Sequence, residues 1–315
     1  MKTVCSGLQH LPILLLMLVM TACTSHPSSR YKPDDVYRQE VKHHPYIELA
    51  SRTVPEGIAE FSDLTYIQRD TQILQLDLYA PATTMDELRP GIVLVHGGDW
   101  LSGTPELVAP LAIQLALRGY VVAAIQYRLA PQARYPAAVE DAQAAVRWMR
   151  DNAKGYGIDA SHIALGGVGA GGTVAALAGL TAGDREKVQV IFSYNSPWQL
   201  DAGPVKSETG HPDPVASWLS KSDASLPQLR HQASPANQIR KDMPAVFIMN
   251  SADQAYEAGT QEVLTRLSHF RVPHRAETIP RSPHSFWLFD PWVNPAANIT
   301  ADFLDLQFKY RMTCH

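Results

Sequence analysis

Seven short apolar runs alternate with helical patterns along this chain, and that alternation constrains the fold more than any other feature. The runs are "DLTYIQ" (63–68), "QILQLDLYA" (72–80), "GIVLVH" (91–96), "YVVAAIQY" (120–127), "HIALGG" (162–167), "VQVIFSY" (188–194) and "PAVFIMN" (244–250). Several are continuously apolar, as strands covered on both faces must be. Between them, residues 136–153 place Pro136 in a first turn, carry apolar groups at Val139, Ala142, Val146 and Met149, and stop near Gly155, which is a helix signature. Further helices are expected at 105–118, 170–182, 255–270 and 299–310. Strands alternating with helices predict an α/β fold, a mostly parallel, doubly wound sheet with right-handed crossovers and helices on both faces.

One stretch breaks the alternation. Residues 198–240 are rich in Pro, Ser and Asp, include Trp198 and Trp218, and carry only short helix-like pieces. A long insertion in a compact domain is usually functional, so this one is expected to form a small cap over the C-terminal edge of the sheet. The folded domain is expected to span 59–312 as a single core, which α/β chains of this size commonly form.

The N-terminus reads differently. Met1 and Lys2 precede an apolar run at 11–20, about the length of a signal-peptide core and too short to span a bilayer. The run ends in "MTAC" (20–23), which resembles a bacterial lipobox. That resemblance implies a signal at 1–22, a lipid on Cys23 and a lipid-anchored protein; Thr24 after the cysteine resembles sorting to the outer membrane, facing the periplasm. A plain secretory signal is the other reading. The following "TSHPSSRYKPDD" is polar and aperiodic, so 23–58 is expected to be a tether and N-terminal extension. With Cys5 lost and Cys23 acylated, only Cys314 would remain, and no internal disulfide could form. The net charge of −4 argues against nucleic acid as a partner.

In doubly wound sheets the site lies beyond the carboxyl ends of the strands. Four loops at those ends carry distinctive groups: "HGGDW" (96–100), "GGVGAGG" (166–172), "NSADQ" (250–254) and "SPHSFW" (282–287). Together with "LDLYAP", "YRLAPQARYPAAVEDAQAAVRWM" and "ASPANQI", they make the chain resemble the α/β-hydrolase esterases of the hormone-sensitive-lipase and bacterial feruloyl-esterase type, over about residues 60–310. The resemblance implies an α/β-hydrolase fold and carboxylesterase ancestry. It places Gly97 and Gly98 along an oxyanion hole, with the N–H of Ala170 as a further donor, and makes Asp253 the acid and His284 the base. Read alone, Asp253 could merely cap a helix and His284 could be a surface histidine; their order and spacing favour two thirds of a triad. Arg128 and Asp141 also match family positions and are expected to be a structural pair. No metal and no cofactor is expected.

The resemblance fails at one position. Where these esterases carry G-x-S-x-G with the serine as nucleophile, the chain reads Gly167-Val168-Gly169-Ala170-Gly171. Glycine offers no alcohol for His284 to deprotonate, and loss of such a serine costs about a million-fold in turnover. Ser193, Ser196, Thr173, Ser282 and Ser285 are hydroxyls in the region, none in a nucleophile elbow. Asp99 is a second departure, since many relatives have glycine or alanine there. Its carboxylate either faces the hole, where it would oppose a developing oxyanion, or turns away to bond a neighbouring loop. The expected function is therefore a pseudo-hydrolase, acting by binding a small-molecule or ester-bearing ligand in the retained pocket, or an envelope partner protein. The alternative is an active esterase or deacetylase using His284 and Asp253 with water or an unrecognised serine.

Overall fold

The computed structural model of the protein describes residues 31–69, 72–82, 88–220, 223–252 and 259–312. In chain order the strands are β1 (Glu48–Leu49), β2 (Ile58–Arg69), β3 (Gln72–Pro81), β4 (Arg89–Val95), β5 (Val121–Ile125), β6 (Ile158–Val168), β7 (Val190–Tyr194), β8 (Ala245–Ser251), β9 (His274–Ile279) and β10 (Phe289–Asp290). The helices are α1 (Pro33–Glu40), α2 (Ala109–Ala116), α3 (Ala137–Asp151), α4 (Ala153–Tyr156), α5 (Ala170–Leu180), α6 (Pro214–Leu219), α7 (Leu226–Gln232), α8 (Thr260–His269) and α9 (Val293–Met312).

Eight strands form one sheet in the order β2-β3-β5-β4-β6-β7-β8-β9. β2, β3 and β5 pair antiparallel, and every pairing from β5 through β4 to β9 is parallel. This is the α/β-hydrolase architecture.

The continuous apolar runs explain the two-sided core. Along a strand successive side chains point to opposite faces. Val93, Val95, Ala123, Ile125, Ile191, Val246 and Ile248 accordingly join one core with residues of α3, α5 and α8. Their neighbours Ile92, Leu94, Val122, Ala124, Phe192, Phe247 and Met249 join a second core with α2 and α9. All eleven residues of α5 are buried, which places the start of that helix at the centre of the molecule.

All seven expected strands are present. Besides the two-residue strands β1 and β10, the one strand not expected among the described residues is β9, "HRAETI", at the edge of the eight-stranded sheet; it is mostly exposed or half-buried and carries charges, as an edge strand protected from aggregation does. Pro136 is the N-cap of α3 rather than its first helical residue. Helix α9 begins at Val293, earlier than the expected 299, with Pro295 in its first turn, where a backbone N–H would have no intrahelical acceptor. For the helix expected at 255–270, α8 occupies Thr260–His269, and 253–258 lie outside the described residues.

Of the tether and N-terminal extension expected at 23–58, the part from residue 31 onward packs on the core. "KPDD" opens α1, whose Val36 is buried, and Tyr31, Ile47 and Ala50 enter the second core. β1 pairs with β10, and the Ala50 N–H donates to the Leu288 carbonyl at 2.8 Å. The extension is apolar at those positions because it covers the sheet. The expected signal at 1–22, Cys5, Cys23, Thr24 and Cys314 lie outside the described residues. Among the described residues no helix is long and apolar enough to cross a membrane.

Candidate functional site

The site is assembled at the carboxyl ends of β4, β6, β7, β8 and β9. After β4 the 96–100 loop holds three consecutive residues in left-handed conformations: Gly98 (φ 107°), Asp99 (φ 59°) and Trp100 (φ 62°). Only glycine takes this region without steric cost, so Asp99 and Trp100 must be held there by their contacts. Trp100 is buried and stacks on Trp218 of α6, ring centroids 4.6 Å apart and planes within 5°. That stack fastens the loop to the 198–240 insertion.

β6 ends in a sharp turn into α5. Gly169 is the N-cap of α5, with φ 50° and ψ −126°, and its N–H donates to the Tyr194 carbonyl at 2.9 Å. The flanking glycines let the backbone cross itself. A Cβ on Gly167 would lie 2.4 Å from the Gly171 carbonyl oxygen, closer than any real contact. The strand-to-helix geometry thus requires small residues on both sides of Gly169, quite apart from what Gly169 itself does.

His284 comes from the loop after β9. Asn195, just past β7, donates from Nδ2 to the His284 carbonyl at 2.6 Å and accepts from the Ser251 N–H at 2.8 Å. It therefore ties the histidine loop to the end of β8. The His284 ring meets Trp287 edge-on at 5.4 Å and is 6% exposed. Asp253, the acid that the family resemblance assigns, lies outside the described residues.

A residue that the sequence did not single out fills the centre of the site. Glu208, from the insertion, accepts from the Gly98 N–H through Oε2 at 3.1 Å and from the Ala170 N–H through Oε1 at 3.2 Å. The same Oε1 is 3.7 Å from His284 Nε2, and the Glu208 side chain is only 6% exposed. A Cβ on Gly97 would be 2.8 Å from Oε2, and one on Gly169 only 1.8 Å from Oε1. Gly97, Gly98, Gly169, Ala170 and His284, all named from the sequence, thus converge on one carboxylate. Two backbone donors, one at a helix N-terminus, and an imidazole make an anion-binding site.

Asp99 turns away from the hole and bonds the neighbouring loop, the second of its two expected placements. Its Oδ1 accepts from the Glu208 N–H at 3.0 Å, and its Oδ2 accepts from Ser207 Oγ (2.6 Å), the Thr209 N–H (2.9 Å) and Thr209 Oγ1 (2.6 Å). Asp99 therefore clasps three consecutive residues and sets the backbone from which Glu208 reaches in.

The other candidate hydroxyls serve local structure. Thr173 Oγ1 donates to the Pro197 carbonyl, Ser196 Oγ to the Tyr194 carbonyl and Ser282 Oγ to the Ile279 carbonyl, while Ser193 Oγ accepts from Trp198 Nε1. Ser285 is buried beside His284. Arg128 and Asp141 are the expected structural pair: Nε meets Oδ2 at 2.8 Å and Nη2 meets Oδ1 at 2.9 Å, with Asp141 fully buried. Such a bidentate pair satisfies a buried carboxylate that would otherwise be costly. Among the described residues no group of His, Cys, Asp and Glu is arranged to hold a metal ion.

Comparison with known proteins places this geometry. The BD-FAE family model matches residues 76–261. An ethyl acetate hydrolase of Pseudomonas putida is 39% identical over 250 residues, which is 71% of this chain and 75% of that protein. Esterase LipC of Mycobacterium tuberculosis is 26% identical over 255 residues, 75% of this chain and 63% of its own length; the match to carboxylesterase NlhH of the same organism covers 36% of each. The chain thus spans less than two thirds of these two relatives. Among solved structures, a truncated carbohydrate esterase from gut microbiota superposes with a TM-score of 0.68 at 20% identity, covering 82% of this chain and 99% of that one. Thermogutta terrifontis esterase 2, phosphonylated by sarin, gives 0.65 at 24% identity, covering 80% and 94%.

Proposed function

Because the chain belongs to the BD-FAE family, among the α/β-hydrolase carboxylesterases, we propose that it is a pseudo-hydrolase: it keeps the fold and the anion-binding part of an esterase site, lacks the nucleophile, and acts by binding. Gly169 is the position at which these esterases carry the catalytic serine. The observation that carries this reading is the Glu208 carboxylate on the Gly98 and Ala170 N–H groups. In acyl transfer those donors must be free to receive the oxyanion of the tetrahedral intermediate. Here a side chain of the protein already uses both, within the space a serine at 169 would need. The reading includes lipid anchorage through Cys23 to the outer membrane, where the ligand would be a small or ester-bearing molecule of the envelope, or the partner an envelope protein.

Incubation with a fluorophosphonate probe and with p-nitrophenyl acetate tests the loss of activity. The expected result is no labelling, and hydrolysis no faster than in a His284→Ala variant. Turnover that disappears in that variant would replace this reading with an active esterase using His284 and Asp253, and would return attention to Ser196 and Ser193.

A further inference from the structure

We propose that the pocket formed by the Gly98 and Ala170 N–H groups and His284 is a carboxylate-binding site whose resident ligand is the protein's own Glu208, and that release of the 207–209 segment opens it to free monocarboxylates. This inference rests on the binding reading above and names its ligand class.

A buried carboxylate is costly unless its oxygens are satisfied. Glu208 is nearly as buried as a core residue, yet each oxygen accepts a backbone N–H and the imidazole stands 3.7 Å away. The site therefore suits this group chemically. It also suits it sterically, because Gly169 leaves the room that Oε1 fills. The occupant reaches in from the cap, and its backbone is fixed by a second carboxylate, Asp99, through four hydrogen bonds to Ser207, Glu208 and Thr209.

Those bonds all lie between the 96–100 loop and the cap, so they are lost together if the segment lifts. What remains is a pair of N–H donors beside an imidazole, the complement of any carboxylate. While the clasp is closed, Glu208 acts as a tethered competitor at an effective concentration of about millimolar or above, and a free ligand must displace it. Removing the glutamate removes the competitor and leaves the donors in place.

Sodium acetate is the simplest probe, and isothermal titration calorimetry at constant ionic strength in sodium chloride reads its binding to the full-length protein. Glu208→Ala should bind acetate at least about tenfold more tightly than wild type, and should not bind acetamide, which has the same shape without the charge. Asp99→Asn keeps Glu208 but weakens its clasp, so its affinity should fall between the two. Equal acetate binding by wild type and Glu208→Ala, or none by either, overturns the proposal, as does equal binding of acetamide. If Glu208→Ala does not fold, Asp99→Asn decides: an affinity no higher than wild type overturns it. The same preparations are assayed for p-nitrophenyl acetate hydrolysis. Turnover by wild type would sink the pseudo-hydrolase reading whatever acetate does, whereas inert proteins that ignore acetate sink only the carboxylate site.

Discussion

Glu208 and a side chain at position 169 exclude one another: Oε1 of Glu208 lies 1.8 Å from where a Cβ on Gly169 would be. A serine at 169 would therefore meet two costs. The backbone at φ 50° and ψ −126° is one that L side chains rarely adopt, a strain of about 1 to 3 kcal/mol. The glutamate must also leave its donors. Gly169→Ser should lower stability to urea by at least the backbone amount. Glu208→Ala should lower it too, by leaving two buried N–H groups unpaired, about 1 to 3 kcal/mol. The double variant should lose clearly less than the sum, because the serine has then nothing to expel. Strict additivity in this cycle would mean that the two side chains do not share the space.

The same exclusion governs reactivity. Gly169→Ser alone should label poorly with a fluorophosphonate, since Glu208 competes for the hole and its charge repels an incoming oxyanion. Gly169→Ser combined with Glu208→Ala should label, and labelling should vanish on adding His284→Ala or Asp253→Ala. A double variant that stays unreactive would mean that the acid, base and donors are no longer in register. Combining Gly169→Ser with Asp99→Gly should substitute only in part for removal of Glu208, because it loosens the segment that carries Glu208 but leaves the competing carboxylate on the chain.

The sheet was largely legible in the sequence because strands buried on both faces must be apolar throughout, and "GIVLVH", "YVVAAIQY" and "PAVFIMN" are. β9 was not, because an edge strand needs apolar residues on one side only. At the site, the contributions of Gly97, Gly98, Ala170 and His284 could be read from short local motifs whose backbone performs the task. Glu208 and Asn195 could not. Each acts through a contact with a residue about 40 to 110 positions away, and "VKSETG" has no periodicity that marks one glutamate as buried. The only local sign was Asp99, an acidic residue inside the "HGGDW" loop. Its partner is 109 residues further on, a separation that no pattern within one sequence encodes.

Anchorage is tested at Cys23. If "MTAC" directs lipidation, the full-length protein should partition into detergent and take up label from fatty-acid feeding, and Cys23→Ser should release it into the soluble periplasmic fraction. A wild-type protein found soluble, with a mature N-terminus other than Cys23, would contradict the lipoprotein reading.

His96 gives the fold a specific sensitivity to acid. It is buried against Tyr127, with ring centroids 4.4 Å apart, and its Nδ1 lies 2.7 Å from the Gly97 carbonyl oxygen, which can only accept, so Nδ1 carries the proton of a neutral ring. Burial pushes its pKa down from 6.5 to about 4, against a small upward pull from the Gly97 hydrogen bond. The unfolded chain therefore binds this proton at a higher pH than the folded one. The sign follows: the stabilisation is fully present above pH 6.5 and is lost as pH falls from there toward 4, amounting to about 2 kcal/mol by pH 5 at roughly 1.4 kcal/mol per pH unit. Urea unfolding at pH 7 and pH 5 checks it. Wild type should lose about 2 kcal/mol more over that interval than His96→Gln, whose side chain does not titrate. The same loss in both proteins would show that His96 is not the group that titrates, and that the 96–100 loop accommodates an imidazolium after all.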